Sequence, residues 1–135
     1  MKNSRRMLLG VLFATTALLF VAGMALAQDP VKVSPGTHKV LLENDRVRVL
    51  DVRTKPGQKV PMHSHPANVV YALSDFRIRH TYPDGKTEVR EGKAGQTRWN
   101  EAVTHSGENV GTTELHVVLI ELKGAATPAK KKKAK

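Results

Sequence analysis

The strongest constraint on this chain is how short its apolar runs are. From His38 onward no helical period is sustained over the length of an ordinary helix, and Gly, Pro, Asn and Asp interrupt the sequence every few positions. Strand-like pieces run over His38–Leu42, Arg46–Val52, Val69–Leu73, Phe76–Tyr82, Lys86–Arg90, Thr97–Trp99 and Glu114–Leu122. Between them, Lys55-Pro56-Gly57 and Glu91–Gly95 read as turns, and Pro83-Asp84-Gly85 as a tight hairpin. Within Arg46–Val52 the apolar parity reverses from Val47 and Val49 to Leu50 and Val52, which predicts a bulge. Many short strands with turn residues between them imply an all-β sandwich or barrel in a single domain. Residues 28–43 form the lead-in and first strand, with Pro30 and Pro35 keeping the stretch before His38 loose, and residues 44–123 form the barrel.

The ends of the chain carry most of its charge. The 135 residues include 22 Lys and Arg against 12 Asp and Glu, a formal charge of +10. Eight of those cations are Lys2, Arg5, Arg6, Lys130, Lys131, Lys132, Lys133 and Lys135, which leaves 14 against the 12 anions in between. A nearly balanced body without basic residues interleaved with aromatics is not patterned for specific nucleic-acid binding. The absence of cysteine excludes disulfides, thiolate zinc sites, iron–sulfur clusters and a thiol nucleophile.

Residues 1–27 have the layout of an export signal: a basic start, an apolar run from Met7 to Leu26, and the small-residue site Ala25-Leu26-Ala27. Cleavage near Ala27 would place the mature protein, from Gln28, in the periplasm or outside the cell. Ser4-Arg5-Arg6-Met7-Leu8-Leu9 resembles a twin-arginine signal, with Gly10 where Lys is usual, so both that route and the general secretory one stay open. Residues 124–135 are Gly, Ala, Thr, Pro and Lys, too poor in apolar surface to offset ordering. They read as a disordered tail able to make weak contact with an anionic envelope surface.

Chemistry concentrates in the histidines. In Pro61-Met62-His63-Ser64-His65, residues two apart on a strand face the same way, so His63 and His65 can share a metal. His105, in Thr104-His105-Ser106-Gly107-Glu108-Asn109, is the third candidate. His80 follows the parity of Phe76 and Ile78, which makes it either a pocket residue or a hydrogen-bonded strand-end histidine. His116, among Leu115, Val117 and Val118, reads as structural, and His38 as solvated. Trp99 and Tyr71 are candidates for a pocket wall, though a lone Trp is usually packed inside.

Together these segments resemble the cupin family, small jelly-roll β-barrels with a metal in the mouth. Gly57, His63 and His65 fit the family's first motif, and His105 and Asn109 fit the second, so the resemblance spans about Asn44 to Lys123. Val69 and Val70 stand where the first motif has its glutamate, and Asn100 and Ala102 where the second has Pro and Gly. The resemblance implies a cupin-like jelly-roll barrel with a metal on His63, His65 and His105. The fourth position would go to Asn68, Glu101 or water. Imidazole ligands suit Fe, Zn, Mn, Ni or Cu rather than Mg or Ca. Two functions follow as expectations: a metal-dependent oxygenase or isomerase of a small organic substrate, or a non-catalytic envelope module that holds a ligand or metal. A homodimer joined through edge strands is the expected assembly.

Overall fold

The computed structural model describes residues 28–124, so the expected export signal and the tail beyond Gly124 lie outside the described residues. A single helical turn, α1 (Pro30–Val33), precedes nine strands: β1 (His38–Glu43), β2 (Val47–Thr54), β3 (Lys59–His65), β4 (Asn68–Ala72), β5 (Phe76–Thr81), β6 (Thr87–Gly92), β7 (Thr97–Asn100), β8 (Val103–Asn109) and β9 (Leu115–Leu122). Five strands form one sheet in the order β1-β2-β9-β4-β7, and four form the other in the order β3-β8-β5-β6. Every pairing is antiparallel. This is the expected all-β jelly roll.

The inward face of the five-stranded sheet carries Leu50, Val52, Ala72, Leu115, Val117 and Leu119, which pack with Ile78 of β5 as the buried core. In β9 the alternation is complete, with every second residue from Leu115 to Glu121 buried. Glu121 occupies the last inward position of that apolar stripe.

Three local features depart from the sequence reading. The lead-in contains α1 rather than only loose chain: Asp29 caps it by accepting from the Val31 N–H at 2.9 Å, and Pro30 sits in its first turn, where no N–H is needed. The predicted bulge in Arg46–Val52 is absent, since β2 pairs with β9 without a register shift from Val47 to Thr54. The parity change arises because β2 is apolar on both faces, and the extra residue lies across from it in β1, between Val40 and Leu42. Finally, Val103–Asn109 forms a strand although its polar composition gives no periodic signal.

Gly57 and Asn109, one residue from each resemblance motif, close one end of the barrel. Gly57 takes φ +75°, a conformation natural to glycine, and its N–H donates to the Asn109 carbonyl at 2.8 Å. The buried Asn109 amide donates to the Thr54 and Thr113 carbonyls at 2.7 and 2.8 Å and accepts from Gly111 N–H at 2.9 Å. These two residues are structural clamps.

Candidate metal centre and cavity

A cavity of about 340 Å³ lies between the sheets, lined by His38, His63, His65, His80 and His105 together with much of the apolar core. Its size suits a small organic molecule. The elements that aim the histidines can be traced individually. The β3–β8 register shifts between Val60 and His63, so two residues three apart both face inward, where strict alternation would have turned one out. Pro61, which has no N–H to contribute to a ladder, lies in this interruption. His63 then stands directly across from His105 on β8, and His65 follows on the same face. His38 arrives at the start of β1, and Thr37 in the turn before it is buried as well.

The ring nitrogens of His38, His63 and His65 can come within 4.8 Å of one another, a spacing at which they could hold a metal. His63 and His65 belong to the expected set. His38 was expected in solvent and is instead 4 % exposed, because closure of the barrel brings the start of β1 beside β3. His105 flanks the group, its ring 4.9 Å from His63 and 5.6 Å from His65. The rings of the converging three lie 4.8 to 5.8 Å apart, so His105 keeps a similar spacing.

Each of the three has its Nδ1 engaged. His63 Nδ1 donates to the Pro61 carbonyl at 2.7 Å, and His65 Nδ1 to Glu121 Oε1 at 2.7 Å. His38 Nδ1 shares a hydrogen bond of 2.8 Å with Thr37 Oγ1, which also lies 2.6 Å from Ser34 Oγ. For a ring that donates through Nδ1, as His63 and His65 do, the neutral form keeps a free lone pair on Nε2, the form in which imidazole binds metal. Burial holds His38 down to about 3 and His63 to about 4, so neither needs to lose a proton near neutral pH before binding.

Behind His65 stands a chain of charges that the sequence reading missed. Glu121, 2 % exposed, accepts from His65 through Oε1 and from Arg48 Nε through Oε2 at 2.6 Å. Arg48 Nη1 continues to Asp29 Oδ2 at 2.8 Å, and Asp29 caps α1. Burial pushes the Glu121 carboxyl up, but the hydrogen bonds from His65 and Arg48 outweigh it and keep it below its usual range. The lead-in thus buttresses a carboxylate that orients a candidate metal-ligand histidine. The available signal was a single carboxylate within the apolar run of β9.

The remaining candidates divide. His80 lines the cavity, its ring 4.1 Å from His105. Burial lowers His80 to about 4 and His105 to about 2, and the positive charge of Arg90 contributes at both. Nδ1 of each is buried without a hydrogen-bond partner. Asn68 is a buried β4 residue rather than a loop residue; its amide oxygen accepts from Asn100 at 3.0 Å and its NH2 donates to the Pro66 carbonyl at 2.8 Å. Glu101 is exposed and accepts from the Trp99 indole at 2.7 Å, outside the cavity. Trp99 and Tyr71 are 51 % and 42 % exposed, and neither walls the cavity nor packs inside. His116 pairs with Asp51 at 2.7 Å at the protein surface.

Comparison with solved structures agrees with this architecture. A cupin domain from Bordetella pertussis Tohama I superposes with a TM-score of 0.59 at 28% identity, covering 64% of this chain and 92% of that one. A conserved protein with a double-stranded β-helix domain from Klebsiella pneumoniae gives 0.52 at 24% identity, covering 67% and 81%. A cupin family protein of Methanocaldococcus jannaschii shares the fold at 13% identity, with a TM-score of 0.51 and coverage of 64% and 79%. No protein-family model and no curated protein matches the chain. By its barrel and these neighbours, the chain has the cupin fold.

Proposed function

We propose that this protein is an exported cupin that holds a divalent transition metal and acts on a small organic substrate, as an oxygenase or an isomerase. His63 and His65 are the central ligands, His38 is the third, and His105 flanks them, able to join only through a change of tautomer, because its buried Nδ1 has no hydrogen-bond partner. One observation carries the reading: three buried imidazoles converge with Nδ1 of each engaged. The residues fit iron, zinc, manganese, nickel or copper, since nitrogen donors without a carboxylate disfavour harder ions. When bound, such a metal supplies Lewis acidity or redox capacity at positions open to substrate. The chain's own contribution is to keep His38 and His63 neutral, to hold the rings through Glu121 and Thr37, and to offer an apolar wall that excludes water.

A second reading, a non-catalytic envelope module holding a metal or ligand, is favoured by the lack of a general base. Among the described residues no carboxylate lines the cavity, and Glu101 lies outside it. Elemental analysis of the purified protein beside His63→Ala tests the site. Near-stoichiometric metal in the wild type, lost in the variant, is expected, and a wild type that takes up no metal overturns the metal site in both readings. Oxygen uptake and substrate screening on the loaded protein then separate enzyme from module.

Export rests on the layout of residues 1–27, and weak attachment of the Lys-rich tail to an anionic envelope surface on its charge. A homodimer is proposed through edge strand β1, where Leu41 and Leu42 are 55 % and 51 % exposed. Leu42→Glu should give a monomer by light scattering.

A further inference from the structure

The polar groups of the cavity are not all arranged for a metal. Away from His38, His63 and His65, the seam between β6 of one sheet and β7 of the other is crossed by two arginines. Arg90 on β6 donates to Asn100 Oδ1 on β7 at 3.1 Å, and Arg98 on β7 donates to the Glu91 carbonyl on β6 at 3.3 Å. Both residues line the cavity, and among the described residues no Asp or Glu does.

The two arginines differ in their partners. Arg90 is held by Glu88 at 3.0 Å and by the Tyr82 hydroxyl at 3.3 Å, so its fork has a fixed direction and its charge is partly offset. Arg98 has no carboxylate partner among the described residues. The wall of the cavity is therefore net positive.

His80 adds a donor. Its Nδ1 is buried with no acceptor, and a buried N–H left without an acceptor is rarer in proteins than a bare lone pair. The proton accordingly resides on Nε2, and the ring lines the cavity as an N–H donor, the opposite tautomer to that of His63.

We infer that this flank is an anion-recognition subsite, and that the ligand of the cavity is a small organic carboxylate whose acid group is read by Arg98, Arg90 and His80 while its apolar body lies along the β9 wall. This names the ligand class of the site proposed above and rests on that reading only for what happens at the metal. Planar arginine forks match a carboxylate in two-point geometry, and a neutral isostere forfeits the charge-assisted bonds.

The test is calorimetric, on the purified full-length protein, with hexanoate against hexanamide and benzoate against benzamide. Each acid should bind at least about tenfold more tightly than its amide, the value of one hydrogen bond to a charged group. Arg98 is exposed, so Arg98→Gln should fold normally, erase most of that preference and leave the metal content unchanged. Arg90→Gln should act in the same direction. Amides that bind as well as acids, a preference indifferent to both substitutions, or no carboxylate binding at millimolar concentration would each overturn the proposal.

Repeating the titration after chelation separates this inference from the metal reading. A preference that vanishes with the metal but ignores Arg98→Gln means that the acid was bound by the metal, which sinks the subsite and leaves the metal site standing. A preference that follows Arg98 in a protein that takes up no metal sinks the metal site and leaves the subsite standing.

Discussion

The two sheets contribute opposite chemistries to the same cavity. The five-stranded sheet offers an apolar centre of Val52, Val70, Ala72, Leu115, Val117 and Leu119, bordered by His38 on β1 and by Asn68, Arg98 and Asn100 toward β7. The four-stranded sheet offers His63, His65, His105 and His80, interleaved with Val60, Phe76, Ile78 and Val103. The first wall supplies the driving force for folding through apolar area removed from water. The second tolerates polar groups that contribute less to stability, and some of its nitrogens have no protein partner. The stable wall thus bears the cost of keeping the reactive one in place.

If the division holds, the largest stability effect belongs to the apolar wall. Leu50 is 0 % exposed and does not line the cavity, so Leu50→Ala should cost about 2–5 kcal/mol in a denaturant melt. Leu119→Ala, which only enlarges an existing cavity, should cost less. Both variants should keep their metal stoichiometry once folded, and metal loss in a folded Leu119→Ala would show that the walls are not independent.

Next comes the link between them. Glu121 sits on the apolar wall but serves His65 on the other, so Glu121→Gln should weaken metal affinity about 10–100-fold, measured by competition with a chelator. An unchanged affinity would reduce Glu121 to a structural partner of Arg48.

Acid should act on the histidine wall alone. In the metal-free protein His38, His63, His80 and His105 are lowered to about 3, 4, 4 and 2 from an ordinary value of 6.5. Between 6.5 and those values the unfolded chain binds the extra protons, so stability falls as pH drops from about 6.5 toward 4, by up to about 1.4 kcal/mol per pH unit for each proton. Urea melts at stepped pH check this, and His80→Asn should make the dependence shallower. The smallest effect is expected outside both walls. Trp99→Ala, at a half-exposed indole, should change stability by less than about 0.5 kcal/mol and leave metal content untouched.

Much of the histidine wall could be read before the fold was known, because its signal is local. His63 and His65 share a face by the two-residue strand repeat, and the spacing to His105 fits the cupin motifs. His38 could not be found that way, since it lies 25 residues before His63 and nothing near it marks a site. Asn68 and Glu101 were equal candidates in sequence; in the structure one is buried with its amide engaged and the other faces out. The bulge was assigned to β2 because apolar residues on both faces of a strand look the same as a register change.

The sequence alone settled what depends on neighbours along the chain: the short strands, the turns at Gly57 and Gly85, the parity of His63 and His65, and the all-β class. Those features follow from backbone sterics and side-chain alternation, which act over a few residues. Only the tertiary structure decided what depends on closing the barrel: that His38 joins the cluster, that Asp29, Arg48 and Glu121 line up behind His65, and that Arg90 and Arg98 meet at the seam. Glu121 lies 73 residues from Arg48 and 56 from His65, and such contacts are set by how two sheets pack across a shared core.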